Sequence, residues 1–154
     1  MKYIKKVQLS LLLVIASSLF SYGQFCADFH KTGDCRTDIE PSYRYYDQSR
    51  SDMIGVGYTL KYNVIFYGKR NYKISFCTNK NYYPVHFKLV DALTEKVLYD
   101  NEDDDYLESL GFGMENTKQI LIEVEVLAEK ASDREIEEFY PCIGMFLQFK
   151  ASEE

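Results

Sequence analysis

The chain has 154 residues, and its 24 acidic residues against 18 lysines and arginines give a formal net charge of −6 at pH 7. Nucleic acids and anionic membrane surfaces are both bound through lysine and arginine side chains that neutralise phosphate groups. The charge balance therefore excludes these two classes of partner from the expected functions.

The N-terminal segment has the organisation of a cleavable signal peptide. Three lysines, Lys2, Lys5 and Lys6, precede an apolar stretch over residues 7–20, and the small residue Gly23 follows soon after it. The apolar stretch is shorter than the roughly 20 residues that span a bilayer. We therefore predict cleavage after Gly23 and export without stable membrane insertion, with an uncleaved membrane anchor as the alternative.

The predicted mature chain, residues 24–154, is more acidic than the precursor, and we predict that it carries no lipid anchor. Loss of residues 1–23 removes three lysines and no acidic residue, which lowers the net charge to −9. A lipoprotein signal would place small residues before the first cysteine, whereas the bulky Phe25 stands before Cys26. The remaining length is enough for one domain with a hydrophobic core.

Residues 24–52 form a polar, irregular arm ahead of the first periodic segment. Gly33-Asp34 and Pro41-Ser42 are turn signals within it. We predict a looped N-terminal arm there that can lead into an edge strand.

Two alternating segments follow the arm and predict a β-hairpin. The first buries one face made of Tyr58, Leu60, Tyr62, Val64 and Phe66. In the second, after a turn over residues 68–71, the face is made of Tyr72, Ile74 and Phe76. Because a short turn joins the two segments, we predict that they pair with each other.

Further strands are predicted at residues 85–89, 97–99, 120–127 and 143–149, where apolar residues recur at the spacing of a strand. In residues 110–114, glycines at 111 and 113 weaken the strand pattern and predict a bulge or a close backbone approach. The segment over 128–138 is predicted as a loop with room for one helical turn.

About seven to eight short strands, separated by turns and without a sustained helical pattern, predict an all-β fold. We expect an antiparallel β-sandwich over residues 53–150, with a jelly roll or an open barrel as the alternative. Residues 151–154 form a polar tail.

Several strand-like segments between Tyr62 and Phe149 carry a family resemblance. They are Tyr72-Lys73-Ile74, Val85-His86-Phe87-Lys88-Leu89-Val90-Asp91, Val97-Leu98-Tyr99-Asp100-Asn101, Ile122-Glu123-Val124 and Ile143-Gly144-Met145. This stretch resembles small secreted bacterial β-sandwich modules, and in particular the pre-peptidase C-terminal domain. The resemblance implies an accessory, non-catalytic module.

Four cysteines, Cys26, Cys35, Cys77 and Cys142, lie beyond the predicted cleavage point. An even number of cysteines in an exported chain predicts disulfides. Of the three pairings, we favour Cys26 with Cys35 and Cys77 with Cys142, because the first two are close in sequence and the others flank strands. A zinc site made of Cys26, Cys35 and His30 is the weaker alternative, since its spacing fits no standard pattern.

The run Asp100-Asn101-Glu102-Asp103-Asp104-Asp105 concentrates oxygen ligands of the kind that Ca²⁺ prefers. Asp100, Asp103 and Asp105 are the candidate calcium ligands. The run lacks the alternate spacing and the central glycine of an EF-hand, so a solvated acidic turn is the favoured interpretation. We predict no resident metal or cofactor.

The chain contains two histidines, His30 and His86. We expect His86 to be an exposed residue in mid-strand, on the face opposite Val85 and Phe87. Nucleophilic catalysis needs a serine or cysteine beside a base, and no Gly-x-Ser-x-Gly motif occurs in the sequence. We therefore predict no catalytic residue and a protein that is not an enzyme.

Five tyrosines in predicted loops are candidates for binding: Tyr43, Tyr45, Tyr46, Tyr82 and Tyr83. Exposed rings at these positions could stack on a sugar or anchor a protein partner. The alternative is that the rings cover sheet edges, where half-buried tyrosine is common.

Together these features predict an exported, non-catalytic protein-interaction or accessory module that acts in the periplasm or outside the cell. A carbohydrate-binding accessory domain is the first alternative, and a small secreted hydrolase is the second. The predicted partner is a protein or a glycan, bound through loops at one end of the sandwich.

Overall fold

The computed structural model describes residues 26–32, 35, 41–79, 82–127 and 140–151. Nine β-strands and two short 3-10 helices lie within these ranges. None of the helices in these ranges has the length and apolar character needed to span a bilayer. The predicted signal peptide and the predicted loop over 128–138 lie outside the described residues.

The strands follow one another along the chain with short connections. They are β1 (Arg44–Tyr45), β2 (Arg50–Met53), β3 (Thr59–Phe66), β4 (Arg70–Thr78), β5 (Val85–Asp91), β6 (Val97–Asp100), β7 (Ser109–Met114), β8 (Lys118–Val126) and β9 (Cys142–Ala151). The 3-10 helices are Phe29–Lys31 in the N-terminal arm and Asn101–Asp104 after β6.

The nine strands form two antiparallel sheets that pack face to face. Sheet A has the order β1-β9-β4-β7, with β2 also paired to β9, and sheet B has the order β3-β8-β5-β6. The predicted antiparallel β-sandwich is therefore confirmed. The arm contributes β1 and β2 to sheet A, which takes the number of strands above the expected seven to eight.

The core between the sheets consists of alternate residues from the strands of both sheets. Its buried members include Tyr62, Val64, Phe66, Tyr72, Ile74, Phe76, Val85, Phe87, Leu89, Ile120, Ile122, Val124, Val126, Ile143, Met145 and Leu147. Tyr58 was predicted to belong to this face, but it precedes β3 and is 71% exposed. The apolar face of β3 therefore begins at Leu60, the second residue of the strand.

The predicted hairpin of β3 and β4 is wrong, because β3 pairs with β8 in sheet B while β4 pairs with β7 and β9 in sheet A. The turn after β3 carries the chain from one sheet to the other. Gly68 lies at this crossing, where an added Cβ would come 2.7 Å from the carbonyl oxygen of Glu115. A hairpin and a crossing give the same alternation of apolar residues, so the pattern alone does not distinguish them.

β7 is a regular edge strand, so the prediction of a bulge or a close backbone approach at its glycines is also wrong. Residues 109–114 pair in unbroken register with residues 70–75 of β4. Added Cβ atoms at Gly111 and Gly113 would have no neighbour closer than 3.1 Å. Both glycines alternate with the half-buried Leu110, Phe112 and Met114. They lie on the solvent-exposed face of the strand, where no side chain is needed to fill the core.

Two disulfides attach the N-terminal arm to the outer face of sheet A. Cys26 is bonded to Cys142, and Cys35 is bonded to Cys77. All four cysteines are thus paired, but the predicted pairing is wrong. Cys77 lies opposite Gly144 in the β4–β9 register, not opposite Cys142, so each of these two cysteines bonds to the arm above the sheet.

The N-terminal arm packs directly against the backbone of Gly144 in β9. An added Cβ at this position would come 2.6 Å from Sγ of Cys77 and 2.9 Å from Cα of His30. No side chain fits in that gap, since real Cβ contacts essentially never fall below 3.0 Å. The closeness of the arm to the sheet therefore depends on a glycine in β9.

Candidate functional site

The outer face of sheet B carries a row of alternating charges that crosses all four strands. Lys61 of β3 lies opposite Glu123 of β8, Glu123 lies opposite Lys88 of β5, and Lys88 lies opposite Asp100 of β6. Nζ of Lys61 is 2.7 Å from Oε1 of Glu123, and Nζ of Lys88 is 2.7 Å from Oδ2 of Asp100. The row ends at Asp100, where the acidic segment begins.

Asp100 joins the row to the histidine on β5. Nε2 of His86 donates a hydrogen bond of 2.8 Å to Oδ1 of Asp100, and the backbone N–H of Glu102 donates to the same oxygen at 3.1 Å. Burial alone would raise the pKa of Asp100, but the hydrogen bonds from Lys88 and His86 lower it to about 2. Asp100 is therefore a carboxylate at any physiological pH.

His86 differs from its prediction as an exposed strand residue. Its side chain is 14% exposed, and that of its partner Asp100 is 18% exposed. The ring of Tyr106 packs edge-on against the imidazole, with a centroid distance of 5.8 Å. The prediction failed because the acidic segment, although remote in sequence, folds back over β5.

We define the acidic loop as residues 100–107, and Asn101 fixes its position. Oδ1 of Asn101 accepts a hydrogen bond from the N–H of Phe87, and its Nδ2 donates to the carbonyl oxygens of Val85 and Leu107. Asn101 is fully buried, and its side chain takes the place of a neighbouring strand where β6 ends. The loop is thereby attached to the backbone on both sides of His86.

The conformation of the acidic loop presents its carboxylates to solvent. Glu102, Asp103, Asp104 and Asp105 are all exposed. Asp105 and Tyr106 have φ values of 51° and 59°, a region that non-glycine residues enter only at a cost of about 1–2 kcal/mol each. Such backbone strain persists only where the surrounding contacts fix it, as Asn101 does here.

A second contact inside the loop involves Tyr99, whose hydroxyl donates a hydrogen bond of 2.8 Å to Oδ2 of Asp104. Burial and the hydrogen bond to the Asp104 carboxylate raise the pKa of Tyr99 to about 12. The phenol therefore stays protonated and holds Asp104 in place. The carboxylates at positions 102, 103 and 105 are exposed to solvent.

We expect Asn101→Ala to lower the free energy of unfolding by about 2 kcal/mol, because it leaves the buried N–H of Phe87 and C=O of Val85 without partners. Urea unfolding measures this change. The exposed Asn116, replaced in the same way, is the control and should change stability by less than about 0.5 kcal/mol. Equal effects for the two variants would contradict the anchoring role of Asn101.

The predicted calcium ligands are not brought together as a set. Among the described residues, the metal-ligating side chains that come within 4.8 Å of one another are those of His86, Asp100 and Glu102. Asp103 and Asp105 are not part of this group. Binding of calcium by Asp100, Asp103 and Asp105 stays a prediction without structural support.

His30 belongs to the N-terminal arm, and hydrogen bonds engage both its backbone and its ring. The hydroxyl of Ser51 accepts a hydrogen bond from the backbone N–H of His30 at 2.7 Å and forms a second one of 2.6 Å with its Nδ1. Nε2 forms a hydrogen bond of 3.1 Å with the hydroxyl of Tyr45. The pKa of the buried imidazole is lowered by burial and then by the nearby Lys31, so His30 is neutral and attaches the arm to β2.

These contacts also rule out the zinc site that the sequence suggested. Cys26 and Cys35 are both in disulfides, so neither offers a thiolate to a metal. Both ring nitrogens of His30 are engaged by Ser51 and Tyr45. The oxidised cysteines decide the outcome, as expected for an exported protein.

The five candidate tyrosines lie in two separate places. Tyr46 is buried in the core and is not an exposed ring, so the binding prediction is wrong for it. Tyr45 lies in β1 and packs on Phe146, and Lys150 of β9 lies over the ring of Tyr43. Tyr82 and Tyr83 pack against the other end of the core. Binding by the four half-buried tyrosines stays a prediction.

Comparisons with known proteins place the fold in context. No protein-family model matches the chain, and no curated protein matches it. A solved structure is similar: the periplasmic lysozyme inhibitor PliG of Aeromonas hydrophila, an inhibitor of g-type lysozyme, with 9% identity and a TM-score of 0.43. The likeness covers 75% of this chain and 90% of that one.

The resemblance of the sequence to pre-peptidase C-terminal domains stays a prediction, since no family model matches the chain.

Two exposed aromatic residues were not among the binding candidates predicted from the sequence. Tyr58 and Tyr140 flank Gly55, where an added Cβ would come 2.8 Å from the ring of Tyr58 and 3.3 Å from that of Tyr140. Both rings are more than half exposed. Tyr140 precedes Pro141 and Cys142, just before β9, and does not belong to an alternating segment. Nothing in the sequence therefore indicated that Tyr140 lies close to Tyr58.

Proposed function

We propose that the protein is an exported, non-catalytic interaction module that binds a cationic surface of a partner protein through the acidic loop. The observation that carries the proposal is the exposed carboxylate group of the loop, held rigidly by the buried Asn101. A loop that is already ordered loses little conformational entropy when it binds. The loop lies at one end of the sandwich, where β5 begins.

Charge complementarity supports a basic partner. The whole chain has a net charge of −6, so its long-range field attracts cationic proteins and repels nucleic acids. Lys88 is paired with Asp100, so it offsets one of the loop's carboxylates and leaves the charges of the four exposed carboxylates at positions 102–105. Rim charges of this kind raise association rates and confer specificity more than they raise affinity.

The two disulfides support export. Disulfides persist in oxidising compartments such as the periplasm or the extracellular space and are rare in the cytoplasm. The predicted signal peptide over residues 1–23 supports the same route. The proposed site of action is therefore the periplasm or the cell exterior.

Affinity capture with the mature protein tests the proposal. We expect the unsubstituted protein to retain a basic envelope protein at low ionic strength and to release it at high ionic strength, because salt screens exposed charges. The triple variant Glu102→Gln, Asp103→Asn, Asp105→Asn should retain at least about tenfold less of that protein. This variant leaves Asp104 bonded to Tyr99.

A matched variant removes the same charge elsewhere. Asp47, Glu95 and Glu115 are exposed and lie outside the acidic loop, in the connections between β1 and β2, β5 and β6, and β7 and β8, and their amide replacements remove three carboxylates as well. This control should capture nearly as much partner as the unsubstituted protein. Equal losses in the two variants would mean that only net charge matters, and the proposed binding surface would be wrong.

The exposed pair Tyr58 and Tyr140 favours one alternative, a carbohydrate-binding accessory domain. Aromatic rings that face solvent on either side of a glycine can stack on a sugar. Binding on a glycan array that disappears in Tyr58→Ala, and that persists in the acidic-loop variant, would favour this function over the first.

A further inference from the structure

We propose that His86, Asp100 and Glu102 form a binding site for a divalent transition-metal cation of the Zn²⁺ class. The site shares Asp100 with the calcium set suggested by the sequence but includes neither Asp103 nor Asp105, and it does not depend on the proposed protein partner. It combines an imidazole from β5 with two carboxylates from the end of β6 and the acidic loop.

The ligand atoms are close enough to share one ion. One atom from each of the three side chains lies within 4.8 Å of the others. Nε2 of His86 and Oδ1 of Asp100 are 2.8 Å apart, joined by a hydrogen bond. Zinc bonds to nitrogen and oxygen are about 2.0–2.2 Å long, so a small opening of this pair admits the ion between them.

The backbone holds the three residues in a fixed relation before any ion arrives. Asn101 stands between Asp100 and Glu102 in the sequence, and its buried side chain bonds to Val85 and Phe87, the two neighbours of His86. One amide group therefore connects both halves of the site. This arrangement distinguishes the site from an ordinary acidic surface, whose side chains have no fixed relation to an imidazole.

Lys88 has the position of an outer residue that orients a ligand. Its ammonium group bonds to Oδ2 of Asp100, while Oδ1 faces His86. Ligating carboxylates are commonly hydrogen-bonded through their second oxygen in this way. The charge of Lys88 opposes a cation, but the two ligand carboxylates of Asp100 and Glu102 outweigh it.

The ligand set indicates the class of ion. Imidazole nitrogen suits zinc, nickel and copper, whereas Ca²⁺ and Mg²⁺ prefer oxygen ligands alone. Three protein ligands leave at least one coordination position open to water or to a group from another molecule. The site is half-exposed, so binding of moderate strength is expected.

Calorimetric titration of the mature protein with ZnCl₂ tests the proposal. We expect one ion per chain and tighter binding of Zn²⁺ than of Ca²⁺, because the ligand group includes an imidazole nitrogen. Glu102→Gln should weaken binding at least about tenfold, and because this side chain is exposed the variant should fold normally. His86→Ala should abolish binding. In the unsubstituted protein, Zn²⁺ should shift the nuclear magnetic resonance signals of the His86 ring.

Asp103→Asn is the matched control, since it removes one carboxylate from the same loop but not from the ligand group. It should change the affinity for Zn²⁺ by less than about twofold. Weakening by Asp103→Asn as strong as that by Glu102→Gln would show diffuse attraction of cations and would overturn the site. So would a protein that binds Ca²⁺ as tightly as Zn²⁺, or one in which the His86 signals do not move.

Discussion

Replacing Cys26 and Cys142 together by alanine is expected to lower the free energy of unfolding by about 4 kcal/mol. The disulfide joins positions 116 residues apart, and a cross-link that closes a long loop removes much of the conformational entropy of the unfolded chain. It also fixes the N-terminal arm to the start of β9, so the variant should lose the arm as well as stability. Urea unfolding of the oxidised protein measures the change.

The Cys35→Ala, Cys77→Ala double variant is the natural comparison. Its disulfide spans 42 residues, so the same reasoning gives a loss smaller by roughly 0.5–1 kcal/mol. Peptide mapping of the unsubstituted protein without reduction should recover Cys26 linked to Cys142. Recovery of Cys26 linked to Cys35, or a stability loss below about 1 kcal/mol for the long disulfide, would contradict this account.

The strands of this fold could be predicted from the sequence because period two is a local property. The alternation in residues 85–89, 120–127 and 143–149 reappears in β5, β8 and β9. The partners of each strand could not be predicted in the same way. Alternation indicates that a strand has one buried face. The same alternation occurs whether the next strand pairs in a hairpin or belongs to the other sheet.

The disulfide pairing failed for a related reason. Closeness in sequence favoured Cys26 with Cys35, but the arm lies across two neighbouring strands and bonds once to each. Only the β4–β9 register, in which Cys77 faces Gly144, shows why Cys77 does not reach Cys142. That register is set by many contacts that are remote in sequence.

Only part of the candidate site could be predicted from the sequence. The acidic run 100–105 was recognised as unusual, and the structure confirms that most of its side chains face solvent. His86 could not be joined to it, because the contact depends on β5 and β6 lying side by side. Asn101 was read as one more polar residue of the run, whereas it is fully buried and organises the loop.

We expect Phe66→Ala to lower the free energy of unfolding by about 4 kcal/mol, since large aromatic residues in a packed core leave a cavity when they are truncated. Phe66 is fully buried on β3 of sheet B and contacts aromatic residues of sheet A. Its ring centroid lies 4.8 Å from that of Tyr72 and 5.1 Å from that of Phe112, both in edge-on geometry. Urea unfolding measures the loss.

Ile65→Ala is the matched control, because Ile65 is the preceding residue of the same strand and is 42% exposed on the opposite face. It should cost less than about 1 kcal/mol. A shift of β3 by one residue would exchange the two faces and move Phe66 to the solvent. If Ile65→Ala proved the more damaging of the two, the register of β3 would be wrong, and the charge row that runs from Lys61 to Asp100 would be wrong with it.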